Sequence, residues 1–151
     1  MRRSKGFGLV ELMVVLVVAS LLVSVAVPTY DRFVQRARVA AAIGEIAELS
    51  LEIEQYRLRN NDRIPMSIAE LGIAVPLDPW GRPYEFLNIQ DGAPPISDVR
   101  KDGKLNPLNT DFDLFSRGRD GEFQGPLSAA RSRDDIVRAN NGAFIGLGED
   151  Y

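Results

Sequence analysis

Lys5-Gly6-Phe7-Gly8-Leu9-Val10-Glu11-Leu12-Met13-Val14-Val15-Leu16-Val17-Val18-Ala19-Ser20-Leu21-Leu22-Val23-Ser24-Val25-Ala26-Val27 carries a single charge beyond Lys5, the carboxylate of Glu11. From Phe7 to Val27 it is 21 residues long, enough for a helix to cross the hydrocarbon layer of a bilayer. Arg2, Arg3 and Lys5 stand immediately before it, so the basic end is expected on the cytoplasmic side. A secretory signal would have a shorter apolar core and a small-residue cleavage site at its far end. Ala26-Val27-Pro28-Thr29 is a poor site of that kind.

Glu11 is the unusual residue. A carboxylate within a membrane segment costs roughly 2.5–3.5 kcal/mol on insertion scales, so it is expected to have a function and a partner. A cut between Gly6 and Phe7 would create an α-amine at Phe7 close to the same depth. The amine of a neighbouring copy, displaced along an assembly, could meet Glu11 with better geometry than its own. Glu11 would then set the register between subunits.

Beyond the apolar run the helical pattern continues. Val39, Ile43, Ile46, Leu49, Ile53 and Tyr56 recur every three or four residues and form one core-facing stripe, with Arg and Glu between them. The helix should end near Asn60-Asn61-Asp62, giving about 54 residues after cleavage and roughly 80 Å at 1.5 Å per residue. Pro28 lacks an amide donor and crowds the preceding turn, which predicts a kink or local melting there. Ser67-Ile68-Ala69-Glu70 has the spacing of a capping box. Tyr84 to Ile89, Ile96 to Val99 and Phe112 to Phe115 read as short strands between turns. The fold class is therefore α+β, a long N-terminal helix packed on a small antiparallel sheet of three or four strands. The expected divisions are a leader over residues 1–6, a membrane or filament-core helix over 7–27, its amphipathic continuation over 28–61, and a head over 62–151.

Composition narrows the chemistry. The chain has 151 residues with no cysteine and no histidine, so disulfides, thiolate metal sites and imidazole acid-base catalysis are excluded. Removal of residues 1–6 would take away three of the 18 basic side chains and none of the 21 acidic ones. So acidic a head is not expected to bind nucleic acid, which needs clustered Lys and Arg.

The most informative passage in the head is Asp113-Leu114-Phe115-Ser116-Arg117-Gly118-Arg119-Asp120-Gly121, followed by Ser132-Arg133-Asp134-Asp135-Ile136. Carboxylates approach across a loop whose glycines permit exposed carbonyls, and hard oxygen donors of that kind suit calcium. The pattern of an EF-hand is missing. Solvated turn acids paired with Arg117, Arg119, Arg131 and Arg133 are the alternative that spacing leaves open.

Gly6-Phe7-x-Leu9-x-Glu11, an apolar helix and Pro28 at its far end resemble the class III signal of type IV pilins and type II secretion pseudopilins. The resemblance implies cleavage by prepilin peptidase after Gly6, methylation of the Phe7 amine, and assembly roles for Glu11 and Pro28, where the helix can loosen. Gly8 departs from it, since the family usually carries Thr there. Asp78-Pro79-Trp80-Gly81 is similar to a signature of major pseudopilins. Physically, Asp78 can cap the turn, Trp80 anchors it, and Gly81 permits a positive φ. Major pseudopilins have a calcium-type C-terminal loop similar to Phe115–Gly121 and Asp134–Ile136. Carried over, the implied calcium ligands are the Arg117 carbonyl, Asp120, Ser132, Asp134 and a contribution near Asp135. The segment from Glu122 to Arg131 is longer than the family usually has. In the tail beyond Ile136, Asn141-Gly142 signals a turn and Phe144-Ile145 should pack on the head.

The resemblance implies a structural filament subunit, the major pseudopilin of a type II secretion system, acting in protein export and not as an enzyme. Its implied partners are further copies in a helical filament, minor pilins or pseudopilins, prepilin peptidase and an inner-membrane assembly platform. Its implied location is the bacterial inner membrane, as a single-pass precursor with the head in the periplasm, and then a periplasmic or surface filament. The alternative in the same superfamily is a subunit of a surface type IV pilus for adhesion, motility or DNA uptake. A different class, a membrane-anchored hydrolase using paired carboxylates, has no cleft signature to support it.

Overall fold

The computed structural model describes residues 8–95, 97–103 and 105–151. The expected cleavage point between Gly6 and Phe7 lies outside them. Two compact units divide the chain after Ala37, and helix α1, Leu9–Arg59, runs through the boundary.

In the first unit the helix is exposed from Leu9 to Phe33. Leu9, Leu16 and Leu22 are each more than 60% accessible. It is one helix long and apolar enough to cross a membrane. Ser20 and Ser24 donate their hydroxyls to the carbonyls of Val17 and Leu21, so the polar groups of the stretch are satisfied within the helix. Of the kink or local melting expected at Pro28, the melting is not observed. α1 continues unbroken through it, and the Thr29 hydroxyl donates to the Val25 carbonyl at 2.8 Å. Proline costs a helix one donor, and the turns on both sides suffice to carry it through.

In the second unit the α1 stripe becomes the core. Ala42, Ile46, Leu49 and Ile53 are buried against Ile64, Ile68, Tyr84, Phe112, Leu114 and Ile136. The sheet is antiparallel, in sequence order: β1 Glu85–Asn88, β2 Phe112–Ser116, β3 Ile136–Ala139 and β4 Phe144–Leu147. Glu85 pairs with Phe115, Phe115 with Val137, and Ile136 with Leu147. Alternation along a strand sends Phe112, Leu114 and Ile136 toward α1. Phe115, Val137 and Ala139 face the other way, where Leu108, Leu127 and Phe123 cover them. Both faces of the two central strands are thus dry, and every residue of β2 and β3 is buried.

Three local expectations are corrected. Residues 97–99 form a turn closed by Asp98 N–H donating to the Pro95 carbonyl at 2.9 Å, not a strand. Val99 is buried all the same, because the loop covers the sheet. The Ser67 box does not form: Ile68–Leu71 is a 3-10 turn with no side-chain cap. Glu70 instead accepts from the Tyr56 hydroxyl and pairs with Arg63. The tail supplies half the sheet, with β3 and β4 joined through Asn140 and Asn141 at φ of 52° and 53°.

Candidate functional site

The first candidate region is the start of α1. Glu11 Oε2 accepts the Gly8 amide at 3.2 Å, so the carboxylate folds back over the helix N-terminus, where the unsatisfied amides and the helix dipole favour negative charge. Gly8, whose amide it accepts, follows Phe7, the residue whose nitrogen a cut after Gly6 would free as an amine.

The second is the motif beginning at Asp78, which is buried. Its Oδ1 accepts the amides of Trp80 and Arg82 at 3.0 and 2.9 Å, and Gly81 takes the φ of 86° that closes the turn. Oδ2 accepts the Ser116 hydroxyl at 2.6 Å, tying the turn to the end of β2. Asp78 caps the turn as the sequence implied, and it also pins the sheet.

The third is the loop from Arg117 to Asp135. Gly118, at φ 59°, lies so close to Asp134 that an added Cβ would stand 2.0 Å from the Asp134 carbonyl oxygen. Asp134 Oδ2 accepts the amides of Arg119 and Asp120 at 2.8 and 3.0 Å, and Asp120 Oδ1 accepts the Glu122 amide at 2.7 Å. The Arg117 carbonyl accepts the Gly121 amide. Asp120, Asp134 and Arg117 are therefore brought together at one corner of the loop. Ser132 and Asp135 turn inward and are wholly buried around Arg100.

Sequence reasoning missed Arg100. It is 1% exposed, and its Nη2 meets Asp135 Oδ2 at 2.5 Å. Its Nη1 donates to the Ser132 hydroxyl and the Gln124 carbonyl at 3.2 and 3.1 Å, and its guanidinium lies 3.9 Å from the Phe115 ring centroid. Burial pushes Asp135 up to about 6 despite Arg100, and pushes Arg100 down despite Asp135. For both partners desolvation outweighs the attraction between them. Arg82 was missed too. It donates to the carbonyls of Gly118 and Arg119 at 2.7 and 3.3 Å from the outer side of the same loop.

Five residues are implied as calcium ligands, and with Ser132 and Asp135 held by Arg100 this arrangement does not gather all five around one ion. The Ser132 hydroxyl and Asp135 Oδ2 are held by a guanidinium while Asp135 Oδ1 is buried without a hydrogen-bond partner, and Asp134 Oδ2, Asp120 Oδ1 and the Arg117 carbonyl accept backbone amides. Among the described residues no three acidic side chains are gathered where a metal ion could be held by them.

One exposed apolar helix with a lone carboxylate at its start, leading into a four-stranded antiparallel head, defines the pilin-like class of filament subunit. Residues 1–27 match the family model described as the prokaryotic N-terminal methylation motif, which fits a membrane-anchored precursor. The chain is 30% identical to type II secretion system core protein G of Pseudomonas aeruginosa, over 82% of this chain and 89% of that protein. It is 32% identical to the core protein G of Dickeya chrysanthemi, over 93% and 90%. It is 27% identical to the type IV major pilin protein PilE of Neisseria gonorrhoeae, over 90% and 83%. No solved structure gives a significant match. The chain belongs to the family of type II secretion system core protein G.

Proposed function

We propose that this chain is the major pseudopilin of a type II secretion system, a structural subunit that polymerises to support protein export and catalyses no reaction. The observation that carries the proposal is the pairing of a bare apolar helix with Glu11, whose carboxylate already seeks positive charge at the helix start. Prepilin peptidase cuts between Gly6 and Phe7 on the cytoplasmic side, and the new Phe7 amine is methylated. The head stands in the periplasm while the helix is stored in the inner membrane.

Assembly moves the helix from lipid into a bundle of its own kind. Lipid is as apolar as leucine, so burial alone does not drive that transfer. Close packing does, helped by the small residues Ala19, Ser20, Ser24 and Ala26, together with charge pairing between Glu11 and a neighbour's Phe7 amine. Pro28, which leaves one carbonyl without its helical donor, is where the helix can yield on packing. Minor pseudopilins and an inner-membrane platform are the further partners of this reading.

The test is co-expression with prepilin peptidase, followed by mass analysis of the purified chain and an export assay in a host deleted for its own copy. Loss of residues 1–6, a methylated Phe7 and restored export are expected. An uncut chain, or a cut chain that restores surface fibres and motility but not export, would contradict the proposal.

A further inference from the structure

We propose that the Arg100 guanidinium is the internal cation of this head, standing where the family resemblance would put calcium, with Arg82 closing the same loop from outside. Calcium would serve there by gathering carboxylate, hydroxyl and carbonyl oxygens from segments far apart in sequence. Arg100 gathers the same classes of atom: a carboxylate oxygen of Asp135, the Ser132 hydroxyl and the Gln124 carbonyl. Its own amide donates to Asp113 Oδ2 at 2.7 Å, which anchors the residue to β2. The ring of Phe115 lies under the guanidinium, and Phe123 is 4.7 Å away. A planar fork with five donors is suited to such a site.

Arg82 does the complementary task. Its guanidinium holds the carbonyls of Gly118 and Arg119, and an added Cβ on Gly121 would fall 2.5 Å from it. The loop is thus packed between two fixed positive groups. A divalent ion that took Ser132 and Asp135 among its ligands would have to displace Arg100 from both. The long segment from Glu122 to Arg131 is what makes this arrangement reachable, since it brings Gln124 and Phe123 onto Arg100. Subunits built this way are held together without a disulfide and without a divalent ion.

The experiment is thermal unfolding of the full-length chain in detergent, with millimolar calcium and with excess chelator. Two variants accompany it, Arg100→Met and the double substitution Arg100→Met with Asp135→Leu. The wild-type midpoint is expected to be the same in both conditions. A native calcium site filled to a hundredfold excess over Kd would raise it by roughly 10 °C, and such a rise would overturn the proposal. Arg100→Met is expected to lose at least that much, by leaving Asp135 buried and unpaired, and the double substitution to recover most of the loss. An Arg100→Met protein as stable as wild type would also overturn it. If Arg100→Met does not fold, the wild-type comparison decides alone.

Discussion

Replacing Asp78 separates two roles that one carboxylate performs. Asp78→Ala strands three donors: the amides of Trp80 and Arg82 and the hydroxyl of Ser116. Ser116 is fully buried, so water cannot replace its lost acceptor, whereas the two amides are only partly covered. At about 1–3 kcal/mol for the buried hydroxyl and about 1 kcal/mol for each amide, the sum is roughly 3–5 kcal/mol. In a unit of this size that lowers the thermal midpoint by more than about 10 °C. Asp78→Asn keeps an oxygen for both amides, while its Nδ2 can only donate to the Ser116 oxygen, so the bond to Ser116 reverses and becomes a neutral one. It is expected to cost about 1–2 kcal/mol. The assay is urea and thermal unfolding of wild type and both variants, as full-length chains in the same detergent. Equal losses for Ala and Asn, or an Ala variant within about 1 kcal/mol of wild type, would refute the assignment of Asp78 as both cap and pin.

Further predictions concern the core, the glycines and the second buried arginine. Ile46→Ala, at a fully buried point of the α1 stripe, should cost about 2–5 kcal/mol in urea unfolding, while Leu51→Ala, 64% exposed on the same helix, should change stability by less than about 0.5 kcal/mol. Gly118→Ala should destabilise measurably, because its φ of 59° and the Asp134 carbonyl leave no room for a Cβ. Gly44→Ala, in open space within α1, should stabilise by about 0.5–1 kcal/mol in the same assay. Arg138→Met should lose about 3–5 kcal/mol, since it leaves Asp111 without its two-point partner at 2.9 and 2.6 Å; a midpoint equal to wild type would show that pair to be dispensable.

What could be read from the sequence was what local spacing encodes. The α1 stripe from Val39 to Tyr56 repeats with the helical period, and β2 shows three large apolar residues, Phe112, Leu114 and Phe115, between turns, so both were recognisable. Asp78 was legible as a cap because its partners Trp80 and Arg82 are two and four residues away. β3 was hidden because Arg138 interrupts its apolar pattern, and the charge is neutralised by Asp111, 27 residues earlier. β4 was hidden with it, since the Asn-Asn-Gly turn signals a hairpin only once both flanks are known to be strands. Val99 misled in the opposite sense: it is an apolar residue buried by a loop, which periodicity cannot distinguish from a strand. Arg100 had no local signature at all. Its three polar partners lie 24 to 35 residues away and meet it only when the long loop folds back over the sheet.

Glu11 is proposed to set subunit register in a polymer of the apolar helix. The most direct measurement compares wild type with Glu11→Ala, each co-expressed with prepilin peptidase and the assembly machinery, by electron microscopy and quantification of sheared filaments. Wild type is expected to form filaments, and Glu11→Ala to be inserted and cleaved after Gly6 yet yield none. Glu11→Ala filaments in wild-type amounts, or a processed wild-type chain that forms no filament, would contradict it.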